Sequence, residues 1–137
     1  VYHCRTDEYI LDRNTIWQTG PLDLNRLNEL ADKIVGEHNF TSFSKFNPEI
    51  ENRVCNIYLS EWSNESGIVN YRVAANRFLH HMVRYLVGTM VEVTRKKMTK
   101  LEFEEILNNP QENVQIYKAP PQGLFLEKVE YDGADIF

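Results

Sequence analysis

Hydrophobic and polar positions change period several times along this chain. From Asp23 onward Leu27, Leu30, Ala31 and Ile34 fall at i, i+3, i+4, i+7, the spacing of a helix with one buried stripe, and Gly36 is placed to stop it. Residues 53–62 then set Val54, Asn56, Tyr58 and Ser60 against Cys55, Ile57, Leu59 and Glu61. Residues 68–76 alternate again after the polar run Ser63 to Gly67, which predicts a hairpin. From about Arg77 to Arg95 the period returns to that of a helix. Arg77, His80, His81 and Arg84 gather on one side, with Gly88 continuing the stripe, and Phe78, Leu79, Met82, Val83, Leu86 and Met90 gather opposite. Thr99-Lys100-Leu101-Glu102 has the form of a capping box for a short helix ending near Asn108-Asn109-Pro110.

Weaker strand character marks residues 2–5 and 14–18. A final run, Leu124 to Tyr131, alternates without a purely apolar face, and the tail from Asp132 to Phe137 is expected to be peripheral. Strands and helices without repeated βαβ units predict an α+β fold: a largely antiparallel or mixed sheet with helices packed on one face. A chain of 137 residues with 42% hydrophobic content suffices for one core, so residues 1–137 are expected to form a single domain. There is no apolar run of the roughly 18 to 20 residues a membrane span needs and no signal-like amino terminus, which predicts a soluble cytoplasmic protein. Cys4 and Cys55 are too few for a disulfide framework and read as small buried hydrophobes.

Charge changes the picture of the basic helix. Residues 71–100 carry seven of the fifteen Lys and Arg (Arg72, Arg77, Arg84, Arg95, Lys96, Lys97, Lys100) against one acid, Glu92, while the whole chain has a net charge of −5. A polar stripe opposite an apolar one is also what any surface helix shows, but this concentration of cations suits a polyanion. Other chemistries lack their residues. His80 and His81, on adjacent helical positions, would diverge by roughly 100° and not share a metal. Glu102, Glu104 and Glu105 read as a solvated face, neither cysteine has neighbours that would stabilise a thiolate, and no Gly-rich loop cradles a nucleotide phosphate.

Three stretches together resemble the C-terminal part of the tRNA pseudouridine synthase A family. They are Gly36-Glu37-His38-Asn39-Phe40-Thr41-Ser42-Phe43, the run Arg77-Phe78-Leu79-His80-His81-Met82-Val83-Arg84 followed by Leu86-Val87-Gly88, and Ala119-Pro120-Pro121-Gln122-Gly123-Leu124-Phe125-Leu126. They occur in family order and span about residues 21 to 131, with Asn39 standing where the family usually has Asp. The family's nucleophilic Asp lies in an upstream Arg-Thr-Asp-Ala-Gly-Val-His type loop that has no match here. Arg5-Thr6-Asp7 continues as Glu8-Tyr9-Ile10, without the Ala-Gly that would let the backbone turn at an exposed Asp, and sits too close to His38. A start at Val1 without initiator Met also fits the C-terminal domain of a longer enzyme, inactive alone.

The resemblance implies isomerisation of uridine to pseudouridine in the anticodon stem-loop of tRNA, without cofactor or metal, by a homodimer. It places Arg84 as the cation supporting the nucleophilic Asp, Leu124 as an apolar wall against uracil, and Tyr2 as the nearest match to the family's base-stacking Tyr. Docking of tRNA would fall to Arg77, His80, His81, Arg95, Lys96, Lys97 and Lys100. His38, in a family-like segment, reads equally well as a loop histidine satisfied by backbone. A non-catalytic RNA-binding or dimerisation module of the same fold is the alternative. A protein-interaction domain using the apolar helix face is a third reading that leaves the basic stretch unexplained.

Overall fold

The computed structural model describes residues 2–5, 17–18, 22–45, 47–65, 68–112, 114, 116–120, 130–131 and 134–135. Its strands are β1 (Tyr2–Arg5), β2 (Trp17–Gln18), β3 (Gly36–Asn39), β4 (Val54–Glu65), β5 (Ile68–Ala75), β6 (Glu130–Tyr131) and β7 (Ala134–Asp135). Its helices are α1 (Leu24–Lys33), α2 (Met82–Thr94) and α3 (Lys100–Asn108), with a 3-10 turn at Thr41–Phe43. The main sheet has the order β2-β1-β5-β4-β3, antiparallel except for the parallel pair β1/β2, and β6 pairs with β7. The fold is α+β, as the periodicity predicts. Asp7 and Leu124 lie outside the described residues, as do the side chains of Tyr2 and Cys4.

The β4–β5 hairpin forms the centre, and a bulge decides which residues of β4 face inward. Ile57 stands opposite Ala75 but Leu59 opposite Ala74, so one extra residue enters β4 at Tyr58. Cys55 and Ile57 are buried before the bulge and Ser60 and Trp62 after it, leaving Tyr58 and Leu59 exposed. Strict alternation puts Leu59 with Ile57; the bulge reverses the phase, because a one-residue slip moves each later side chain to the other face. Trp62 thereby meets Tyr71 across the pair, ring centroids 4.9 Å apart, and the Tyr71 hydroxyl lies 2.6 Å from Ser60 Oγ.

Helix α1 covers β4, and α2 touches α1, the 3-10 turn and α3. Asp23 caps α1 by accepting from the Arg26 amide, and Leu27, Leu30, Ala31 and Ile34 are fully buried. The helix stops at Lys33. Gly36 instead opens β3 at φ +100°, a left-handed value that glycine adopts without strain. His38 is therefore a strand residue, not a loop histidine, with Nε2 3.1 Å from the Val35 carbonyl.

The basic helix is shorter than its periodicity predicts. Residues 77–81 stay outside α2 because the preceding chain is still bound to β4. The Asn76 amide donates to Asn56 O, Asn76 Oδ1 accepts from the Asn56 amide, and Arg77 donates to the carbonyls of Val54 and Asn52. His81 then takes φ 60°, rare for a residue with a Cβ, and α2 begins at Met82. Nor is α2 a surface helix. Met82 and every residue from Leu86 to Val93 are buried, so it is the central helix of the core. Thr99 and Glu102 do form the capping box of α3, and no helix among the described residues is long and apolar enough to cross a membrane.

Candidate functional site

A strap of chain, residues 116–120, lies across the face of α2 that carries Arg84 and Gly88. A Cβ at Gly88 would come within 2.6 Å of both Tyr117 O and Ala119 N, so only glycine permits this approach. One residue on, Thr89 Oγ1 donates to Tyr117 O at 3.3 Å. The strap is gripped at its other end by Arg84 twice over: the Ala119 amide donates to Arg84 O at 2.9 Å, and Arg84 Nε donates to Ala119 O at 2.8 Å.

Arg84 is consequently half-buried and held in one orientation. Its Nη1 donates to His81 Nδ1 at 3.2 Å, which requires a neutral imidazole carrying its proton on Nε2. Among the described residues no carboxylate lies within ion-pair distance of this guanidinium. An arginine that donates only to a carbonyl and an imidazole retains free donor capacity for a carboxylate or phosphate.

Two histidines and two further lysines crowd the same place. His80 and His81 rings lie against each other, tilted by 33° with centroids 3.8 Å apart, a geometry possible because both precede the helix instead of diverging along it. Lys45, just beyond the 3-10 turn, is tied by its amide to His80 O at 3.0 Å. Lys118, in the strap, has Nζ 5.4 Å from the centroid of the Tyr85 ring. Burial, then the charges of Lys118, His80, Arg84 and Lys45, hold the His81 pKa below its ordinary value. Burial, then Arg84 and Lys45, lower that of Lys118. Both lysines lie outside the basic stretch of residues 71–100. The available signal was their position, Lys45 two residues after Phe43 and Lys118 directly before Ala119-Pro120.

The other residues expected to bind tRNA sit elsewhere, and apart from Lys96 their side chains have partners of their own. Arg77 is bound to the carbonyls of Val54, the first residue of β4, and of Asn52 just before it. Arg95 pairs at 3.0 Å and Lys97 at 3.6 Å with the buried Glu92, and Lys100 pairs at 3.3 Å with Glu29. Lys96, at φ 65°, lines a groove with Arg26, Glu29, Leu30, Val93 and Met98. At ~1.5 Å per residue, this second basic patch begins roughly 21 Å along α2 from His81. The expected set is thus divided between the two ends of one helix.

The strap, the Gly88 contact and the Arg84 grip all fall inside the stretch that matches the tRNA pseudouridine synthase family profile, residues 30–132. The chain belongs to this family. Among curated members, the tRNA pseudouridine synthase A of Chlorobium limicola is 38% identical over 112 residues, covering 82% of this chain and 46% of that protein. The one from Bacteroides thetaiotaomicron is 35% identical over 140 residues, covering 99% and 52%, and the one from Bacillus pumilus 38% over 111 residues, covering 81% and 45%. The chain therefore spans about half the length of the curated synthases it matches. Within the family match, the α2 N-terminus and the strap come together in space at Arg84 of the one and Ala119 of the other.

Proposed function

We propose that this chain is the C-terminal domain of a tRNA pseudouridine synthase that isomerises uridine to pseudouridine in the anticodon stem-loop of tRNA. The reaction breaks the N1–C1′ bond of uridine, turns the freed uracil and forms C5–C1′; N1 gains a proton and C5 loses one. It requires the nucleotide to leave the stack and enter a closed pocket. Arg84 pairs with the nucleophilic Asp contributed by another segment of the enzyme, lowering the carboxyl pKa and fixing its orientation through paired hydrogen bonds. The observation that carries this reading is the state of Arg84: half-buried, aimed by Ala119 O and His81, and without a carboxylate among the described residues.

Leu124, five residues beyond Ala119, and Tyr2, opposite Tyr71 at the start of β1, supply the walls against uracil in this reading. Lys96 and Lys97, with Arg95, Lys100 and Arg77, contact tRNA phosphates away from the pocket, and His80 and His81 line its mouth. The enzyme works in the cytoplasm as a homodimer, for which a single sedimenting species of twice the protomer mass is the expected result.

Arg84→Ala in the full-length protein is expected to abolish release of tritium from carbon-5-labelled tRNA while tRNA binding persists. Arg84→Lys should not restore turnover, because an ammonium lacks the planar fork. Replacing Lys96 and Lys97 by Gln should leave turnover at saturating tRNA in place and weaken binding. Each lost phosphate contact should flatten the salt dependence by about 0.7 to 0.9 in log–log slope. Unchanged turnover in Arg84→Ala would overturn the assignment.

A further inference from the structure

Positive charge around Arg84 exceeds what one carboxylate neutralises. Three segments of chain contribute fixed cations there: Lys45 from the 3-10 turn side, Arg84 from α2 and Lys118 from the strap. Hydrogen bonds link them in sequence: the Lys45 amide to His80 O, the Arg84 side chain to the His81 ring, and Arg84 to Ala119. Elsewhere several cations are paired with acids, as in Lys33 with Glu104, Lys100 with Glu29, and Arg95 and Lys97 with Glu92. At this site no acid pairs with Lys45, Arg84 or Lys118 among the described residues. Like charges gathered without counterions repel, and a ligand that brings the missing negative charge offsets that cost.

We propose that Lys45 and Lys118 hold the two backbone phosphates that flank the flipped uridine, one phosphate each, leaving Arg84 to the carboxylate. The inference rests on the function proposed above and adds the contacts that seat its substrate. Charge balances: three fixed cations meet one carboxylate and two phosphodiesters. Geometry agrees as well. A nucleotide that swings out of the stack rotates about its two adjoining phosphates, so both come to the mouth of the pocket as the base goes in. Both lysines are exposed, with flexible stems whose ammonium groups follow a phosphate without demanding one orientation, and such contacts position RNA without reading its sequence. Lys118 is set most firmly, since the residues on either side of it are bonded to α2.

The test uses the full-length protein and anticodon stem-loop RNA in which each phosphate flanking the target uridine is replaced, one at a time, by a neutral methylphosphonate. Lys45→Gln and Lys118→Gln are each expected to weaken binding of the unmodified RNA about tenfold and to lower the salt slope by about 0.7 to 0.9. Each neutral linkage should weaken binding to the unsubstituted protein. One of the two linkages should then cost nothing further in Lys118→Gln, and the other nothing further in Lys45→Gln, the signature of direct pairing. Thermal melts of the variants should match the parent, since both side chains are exposed. Variants that keep full sensitivity to both linkages, or a parent protein indifferent to both, would overturn the proposal. Because this readout is binding, its failure is distinguishable from that of the Arg84 assignment, which is read by turnover alone.

Discussion

At the residue scale, Gly88 and Arg84 show how differently two neighbours on one helix face can be read. Arg84 is visible in the sequence as part of a basic stripe, and its chemistry follows from its type. Gly88 continues the same stripe with no hint that it makes room for the strap, because a missing side chain leaves no mark on periodicity. Gly88→Ala is expected to destabilise the protein by about 1–3 kcal/mol, the usual cost of overpacking, since the new Cβ would meet strap backbone that has little freedom to shift. Turnover should fall with it as Ala119 moves off Arg84. Denaturant midpoints and the tritium assay check both effects, and an unaltered midpoint would mean that the strap does not rest on α2. Lys45 and Lys118 adjoin family-like segments, but they are distant in sequence from Arg84, and only folding brings them beside it.

At the scale of elements, periodicity located α1, the hairpin and α3, because local burial patterns and caps decide where those begin. It failed at the start of α2 and in the phase of β4. In both places contacts between segments override a local preference: Arg77 and Asn76 remain on β4, and the bulge at Tyr58 resets the alternation. The same strand has an edge that β3 covers only from Val54 to Ile57. Farther along, the side chain of Asn28 on α1 takes the place of a strand, accepting from the Trp62 amide at 2.8 Å and donating to its carbonyl at 3.0 Å. Asn28→Ala should cost about 1–3 kcal/mol by leaving both groups without partners. Hydrogen exchange at the Trp62 amide should accelerate selectively while the β3–β4 amides keep their protection; equal rates in parent and variant would show that Asn28 does not hold this edge.

At the scale of the whole molecule, charge is polarised and the cations of one region are gathered at the α2 N-terminus, with consequences for stability. His81 is held below its ordinary pKa of 6.5 by burial and by Lys118, His80, Arg84 and Lys45. The unfolded chain therefore binds its proton near pH 6.5, while the folded protein resists it until lower pH. In that interval the unfolded state carries more protons, so stability falls as pH falls below about 6.5 and the loss levels off beneath the folded-state pKa. His81→Asn, which keeps a residue tolerant of the left-handed backbone, should reduce this acid-side slope in urea titrations between pH 7 and 5. Identical slopes would show that His81 does not titrate against its neighbours. The sequence by itself determined the α+β class, the family segments and the identity of Arg84, because these depend on local periodicity and on residue type. The tertiary structure alone decided that the strap crosses Gly88, that Arg84 is aimed by Ala119, and that two further lysines share its surroundings. Those facts are distances between segments far apart along the chain, and no local pattern encodes them.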